Sequence, residues 1–210
     1  MNAGKHEILL ATHNPGKVEE MERLLTHLPV HWLTLADIGV ETIIQETGET
    51  FAENAILKAK GYCELTGYWT LADDSGLAVE ALGGHPGIHT ARYGGAHCAP
   101  SDKWDLLLRE LRGVVWEHRK AQFCCAMALA LPDEKTIFTS EGICGGKIAF
   151  SSSCTSGFGY DPIFYIPEYA RTMAQISPDK KDRISHRGQA ARAISPKISL
   201  LLDTSNTRTV

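Results

Sequence analysis

The sequence predicts an α/β fold around a mixed sheet, and three observations predict it. Apolar runs of strand length alternate with stretches of helical spacing through the first half of the chain. Two longer apolar runs, 121–131 and 136–144, flank Pro132-Asp133-Glu134-Lys135 and read as a β-hairpin, which adds antiparallel pairing to the parallel crossovers. No internal repeat or linker divides the 210 residues, so a single domain is expected over 1–203, followed by a polar tail over 204–210.

Each element has its own signal. Glu7 to Thr12 is apolar and reads as a buried strand. Val18, Met21, Leu24, Leu25 and Leu28 recur at helical spacing, which predicts a helix over 17–28. Val30 to Leu35 is a second strand. Thr50, with Glu53 three residues on, forms a capping box that opens a helix from Phe51 to about Thr66. Trp69 to Ala72 is a short strand running into Asp73-Asp74-Ser75-Gly76, a composition common in turns. Ser101 is expected to cap a helix in which Trp104, Leu107, Leu108 and Leu111 share a face. The last helical pattern covers 186–202, and Pro196 either kinks it or opens a second short helix.

Composition excludes several classes. Hydrophobic residues make up 43% of the chain, enough for a core without disulfides or structural metal. A net charge of −4 argues against a protein that wraps nucleic acid through its phosphates. No apolar run approaches the roughly 20 residues that span a bilayer. The first residues lead straight into a strand and leave no room for a signal peptide, so a cytoplasmic protein is expected. Cys63, Cys98, Cys124, Cys125, Cys144 and Cys154 include no C-x-x-C pair and read as reduced thiols.

Four stretches carry chemistry. "LLATHNPGKVEEM" places Lys17 at a strand-to-helix junction, but Ala11 and Val18 stand where a Walker A loop needs Gly and Ser or Thr, so that loop is excluded. A helix N-terminus beside Lys17 still suits an anion, and a plain Asn-Pro-Gly turn is the alternative. "LADDSGLAV" puts Asp73 and Asp74 on opposite faces of an extended segment, so they are expected to do different jobs. With Glu46 they offer hard oxygen ligands suited to Mg²⁺. "TSGFGYDPIF" presents Phe158 between glycines, either to stack on a nucleobase or to fill the core. "SPDKKDRISHRGQAARA" places His186 and Arg187 in the first turn of a helix, where cations oppose the dipole and need an anion or a keto oxygen as their reason.

Together "LLATHNPGKVEEM", "ETGETFAENAILKAKGY", "LADDSGLAVEALGGHPGIHTARYGG", "SGFGYDPIF" and "ISHRGQA" resemble, in order and from residue 9 to 192, the inosine triphosphate pyrophosphatase family. The resemblance implies an elongated α/β domain of two lobes with a central substrate cleft, usually dimeric. It implies Mg²⁺-dependent cleavage of ITP, dITP and XTP to the nucleoside monophosphate and pyrophosphate, which cleanses the nucleotide pool. Thr12, His13, Asn14, Pro15, Gly16 and Lys17 would form the phosphate loop. Glu46 and Asp74 would hold Mg²⁺, and Asp74 would also accept a proton from the attacking water. Lys17 and Lys58 would serve the phosphates with Asp74 as the catalytic group, and Ser75 would touch the substrate. Phe158 would stack on the base, with Gly159, Tyr160 and Asp161 completing the wall. Lys181, His186 and Arg187 would close over the base and its 6-keto oxygen. Gln45 stands where relatives often carry a second Glu, which leaves positions 45 and 46 both open as the metal ligand.

Overall fold

A computed structural model describes residues 6–95, 98–133, 136–153 and 159–206, apart from the side chains of 205 and 206. The fold is α/β, and its seven strands are hydrogen-bonded in the order β2-β1-β3-β4-β5-β6-β7. The ranges are β1 His6–Leu10, α1 Pro15–Leu24, β2 Val30–Thr34, α2 Phe51–Thr66, β3 Trp69–Val79, α3 Pro100–Glu110, β4 Lys120–Ala130, β5 Ile137–Ile148, β6 Phe164–Ile166, β7 Arg171–Thr172, α4 Pro178–Ile184 and α5 His186–Asn206. β1 pairs in parallel with β2 and β3, while β6 pairs antiparallel with β5 and β7, so the sheet is mixed as expected. The chain divides into two compact units: 1–74 with 125–141 and 187–210, and 75–124 with 142–186.

In the first unit the period of a strand sorts the core onto two faces. Ile8, Leu10 and Leu71 pack with Met21 of α1, with Leu25 just after it and with Ile194 and Ile198 of α5. Leu9, Leu33 and Ala72 pack on the other face with Ala55, Ala59 and Tyr62 of α2. Helix α2 has the predicted bounds because both ends are capped. The Thr50 hydroxyl accepts from Glu53 N–H, the Glu53 carboxylate returns to the Thr50 N–H, and Gly67 closes the helix at φ 75°.

Three expectations are corrected here. Helix α1 starts at Pro15 and ends at Leu24, not at 17 and 28, because the Asn14 side chain caps it and Pro15 needs no donor at its first position. Asp73-Asp74-Ser75-Gly76 is not a turn but the middle of β3. The last helix runs as one element from His186 to Asn206 with Pro196 inside it. Pro196 cannot donate to the Arg192 carbonyl, but both residues lie on the exposed face, where that loss is least costly.

The second unit is built on Leu77, Val79, Leu107, Leu111, Phe123, Ile148 and Phe164, with Trp104 and Leu108 packed against them. Helix α3 opens at Pro100 after Ala99, with no side-chain cap, so Ser101 lies inside it and is not its cap. Gly146 is required by close approach, since a Cβ there would stand 2.6 Å from the Tyr165 carbonyl oxygen.

Candidate active site

Strand β1 ends at Leu10, and the loop Ala11–Asn14 turns directly into α1. Thr12 Oγ1 accepts from Asn14 N–H at 3.2 Å, and Asn14 Oδ1 accepts from Gly16 N–H at 3.0 Å and Lys17 N–H at 3.4 Å. The Asn14 side chain therefore shapes the loop and caps the helix. The His13 ring turns away from the loop, with Nε2 3.3 Å from the Thr42 carbonyl and 3.1 Å from the Tyr62 hydroxyl. Lys17 reaches across to Asp73, Nζ to Oδ2 at 3.0 Å.

The two adjacent aspartates of β3 do different jobs. Asp73 is buried between cations: Lys17 on one side and Arg187 on the other, whose Nε and NH2 donate to its Oδ2 at 3.3 and 3.1 Å. Burial opposes its ionisation, but the charges of Lys17, Arg187 and Lys58 outweigh it and hold the carboxyl far below the usual range. Asp74 faces a different lysine. Lys58 Nζ stands 3.2 Å from Asp74 Oδ1 and 2.6 Å from Glu46 Oε1, so one ammonium joins both carboxylates. The other Asp74 oxygen, Oδ2, is buried and has no hydrogen-bond partner. Burial pushes the Asp74 carboxyl above its ordinary value, against the pull of Lys58 and Lys17. Lys58 is itself buried, which disfavours its charge, but Asp74, Asp73 and Glu46 more than restore it. Glu46 is half-buried and on Lys58, whereas Gln45 is exposed.

Arg187 is 1% exposed and lies in the first turn of α5. Its NH1 donates to Glu20 of α1 and its other edge to Asp73. These two carboxylates supply the counter-charge that a cation needs at a helix N-terminus.

The remaining candidate residues lie in the second unit. Lys181 Nζ donates to Asp161 Oδ2 at 2.7 Å. The Gly159 carbonyl accepts from Trp104 Nε1 at 2.6 Å. Tyr160 is buried, and among the described residues its hydroxyl has no hydrogen-bond partner. The His186 ring stacks on Phe123 with centroids 4.8 Å apart and planes 15° from parallel. Ser75 is half-buried in β3. Phe158 lies outside the described residues.

Comparison with known proteins decides the family. The Ham1 family model matches residues 8–197. The chain belongs to the Ham1 family. It is 44% identical to the dITP/XTP pyrophosphatase of Nostoc sp., over 94% of this chain and 97% of that protein. It is 46% identical to the one from Geobacillus kaustophilus, over 88% and 90%. Among solved structures, a HAM1 protein from Coxiella burnetii superposes with a TM-score of 0.83 at 38% identity, covering 92% of this chain and 98% of that one. A nucleoside-triphosphatase, dITP/XTP pyrophosphatase from Mycobacterium abscessus, gives 0.73 at 40% identity, covering 90% and 99%.

In this Ham1 chain the first unit gathers Thr12, His13, Asn14, Pro15, Gly16, Lys17, Glu46, Lys58, Asp74 and Arg187. Ser75, Gly159, Tyr160, Asp161, Lys181 and His186 belong to the second unit. Sequence reasoning missed Glu20, buried beside Met21 on the inner face of α1. A carboxylate at a core position of an amphipathic helix was the available signal, because such a group is buried only when paired. It also missed Tyr62, whose hydroxyl donates to the Thr42 carbonyl at 2.8 Å. An aromatic on the apolar face of α2 gives no sequence signal for that bond.

Proposed function

We propose that this chain hydrolyses dITP, ITP and XTP to the nucleoside monophosphate and pyrophosphate, with Mg²⁺ as its metal, and so removes non-standard purine nucleotides. The observation that carries the reading is Asp74: a buried carboxylate with one oxygen on Lys58, shared with Glu46, and the other without a partner. The relatives in Nostoc sp. and Geobacillus kaustophilus, both dITP/XTP pyrophosphatases, support it. Free nucleotides suit the acidic chain better than nucleic acid. Family membership supports a cytoplasmic homodimer, and no described helix is long and apolar enough to cross a membrane.

The donor set fits Mg²⁺. Among the described residues no three His, Cys, Asp or Glu converge on one point. Mg²⁺ does not need three, because it keeps waters and takes one or two carboxylates together with substrate phosphates. The free Asp74 oxygen and the Glu46 carboxylate would hold it. When bound, the metal neutralises charge developing on the phosphoryl oxygens.

The protein's own groups do the rest. Asp74 accepts a proton from the attacking water, which its place beside Lys58 and Glu46 allows. Lys58 swings between the carboxylates and the phosphates as a point charge on a flexible stem. Lys17, in the first turn of α1, brings positive charge to the polyphosphate. For the choice of base, Lys181 is a pure donor and suits a 6-keto acceptor, whereas the adenine amino group would face it donor to donor. Arg187 is read differently from the expectation drawn from the sequence: it holds Asp73 and Glu20 in place and does not itself read the base. Incubation with dITP and Mg²⁺ tests the reading. Release of pyrophosphate with dIMP is expected, and orthophosphate with dIDP, or no turnover, would overturn it.

A further inference from the structure

We propose that His13 is a positioning residue that straps the segment 40–48, which carries Glu46, to the phosphate loop through the Tyr62 hydroxyl. The inference rests on Glu46 serving the reaction as read above.

The segment from Val40 to Gly48 has no regular secondary structure, yet it must deliver Glu46 to Lys58. Its ends are held by Val40 N–H on the Leu35 carbonyl at 2.9 Å and by Gly48 N–H on Asn54 Oδ1 at 2.8 Å. Between those ends, Thr42 offers its carbonyl to the Tyr62 hydroxyl at 2.8 Å. Tyr62 is 2% exposed and rooted in the core beneath α2, so its hydroxyl is a fixed post.

Proton inventory assigns the third member. A phenol has one proton, and here it goes to Thr42, which leaves the phenol oxygen to accept. His13 Nε2, 3.1 Å from that oxygen and 3.3 Å from the Thr42 carbonyl, is then the donor, and the imidazole carries its proton on Nε2. The two rings meet edge to face, with centroids 6.2 Å apart. His13 is flanked by Thr12 and Asn14, which shape the phosphate loop. One imidazole therefore joins the loop that starts α1 to the segment that ends in Glu46. Each segment has its own local bonds, and the strap adds a direct tie between the two. Displacements near 1 Å at such groups cost about 10²-fold in rate.

The test compares His13→Ala, His13→Gln, Tyr62→Phe and the His13→Ala/Tyr62→Phe double variant, each first shown to melt cooperatively. Hydrogen–deuterium exchange is read on the amides of 40–48, together with kcat, KM for dITP and the Mg²⁺ concentration at half-maximal rate. Exchange should rise about fivefold to tenfold in both single variants, the loss of one hydrogen bond. Turnover should fall about tenfold, with a higher Mg²⁺ requirement and little change in KM. The double variant should be no worse than the weaker single variant, and His13→Gln, which keeps a donor, should recover most of the loss. Unchanged exchange in His13→Ala, multiplying effects in the double variant, or a KM effect in His13→Ala that Tyr62→Phe lacks would overturn the strap. Failure of the unaltered protein to cleave dITP would sink the functional reading, and the exchange result would still decide the strap.

Discussion

Replacing Arg187 by Ala tests whether that side chain holds carboxylates or reads a base. The guanidinium is buried and uses both edges, with Nε and NH2 on Asp73 and NH1 on Glu20. Removing it leaves two buried carboxylates without that counter-charge, although Lys17 still faces Asp73. Breaking a buried pair by deleting one partner costs about 3–5 kcal/mol. For a chain of this length that corresponds to a fall in Tm of roughly 6–20 °C. The pH dependence follows from the sign of the Asp73 shift. A carboxyl held below its ordinary value of 3.8 contributes stability above that value and loses it as pH falls further. Acid therefore removes from the unaltered protein what the variant already lacks, and the gap in Tm should narrow below about pH 4. Thermal unfolding from pH 8 to pH 3 measures this, and kcat/KM for dITP and ATP is measured alongside. Activity should fall for both nucleotides together. A variant that melts within about 2 °C of the parent while its preference for dITP over ATP collapses would refute the reasoning and return Arg187 to the base.

Asp74→Asn should lower kcat by about 10²–10⁴-fold and still fold; retention of more than about a tenth of the activity would remove Asp74 from the chemistry. Because burial raises the Asp74 pKa, the ionised group opposes folding, so the metal-free variant should gain stability relative to the parent as pH rises above 3.8, in paired melts. A carboxylate that holds Mg²⁺ and accepts a proton must be ionised, so the rate should fall in acid and rise towards alkaline pH; an acidic optimum in the pH–rate profile would count against the mechanism. Burial pushes the Cys144 thiol up to about 11 and Cys125 further still, so neither should react with iodoacetamide at pH 8 until the protein is unfolded, as mass spectrometry would show. Gly146→Ala should destabilise by about 1–3 kcal/mol in denaturant melts, since its Cβ would meet the Tyr165 carbonyl.

Legibility in the sequence followed the range of the interactions. Helix α2 was legible from Phe51 to about Thr66 because the signals that open it, Thr50 and Glu53, are local to its start. Helix α1 was misplaced by two residues at its start because Asn14 can make a turn or cap a helix, and only the fold chooses between them. The Asp-Asp-Ser-Gly stretch reads as a turn in isolation. It stays extended as part of a strand between β1 and β4, with Lys17, Lys58 and Arg187 beside its carboxylates, and nothing near residue 73 reveals that positions 17, 58 and 187 meet there. The same limit applies to Arg187: its place at a helix start called for an anion, and the sequence could not say that Glu20 and Asp73 provide it. Motif recognition located the residues; their partners were set by packing.

Lys17 and Lys58 are both engaged with carboxylates before any nucleotide arrives. A small free anion such as sulfate or orthophosphate must break one of these pairs to gain a single new contact, which is close to an even exchange. A polyphosphate with a divalent cation would offer Asp74 and Glu46 a replacement partner as it takes Lys58. These pairs should therefore weaken the binding of small inorganic anions at Lys17 and Lys58. The enzyme should keep its rate in buffers rich in phosphate, where a site with bare lysines would be inhibited.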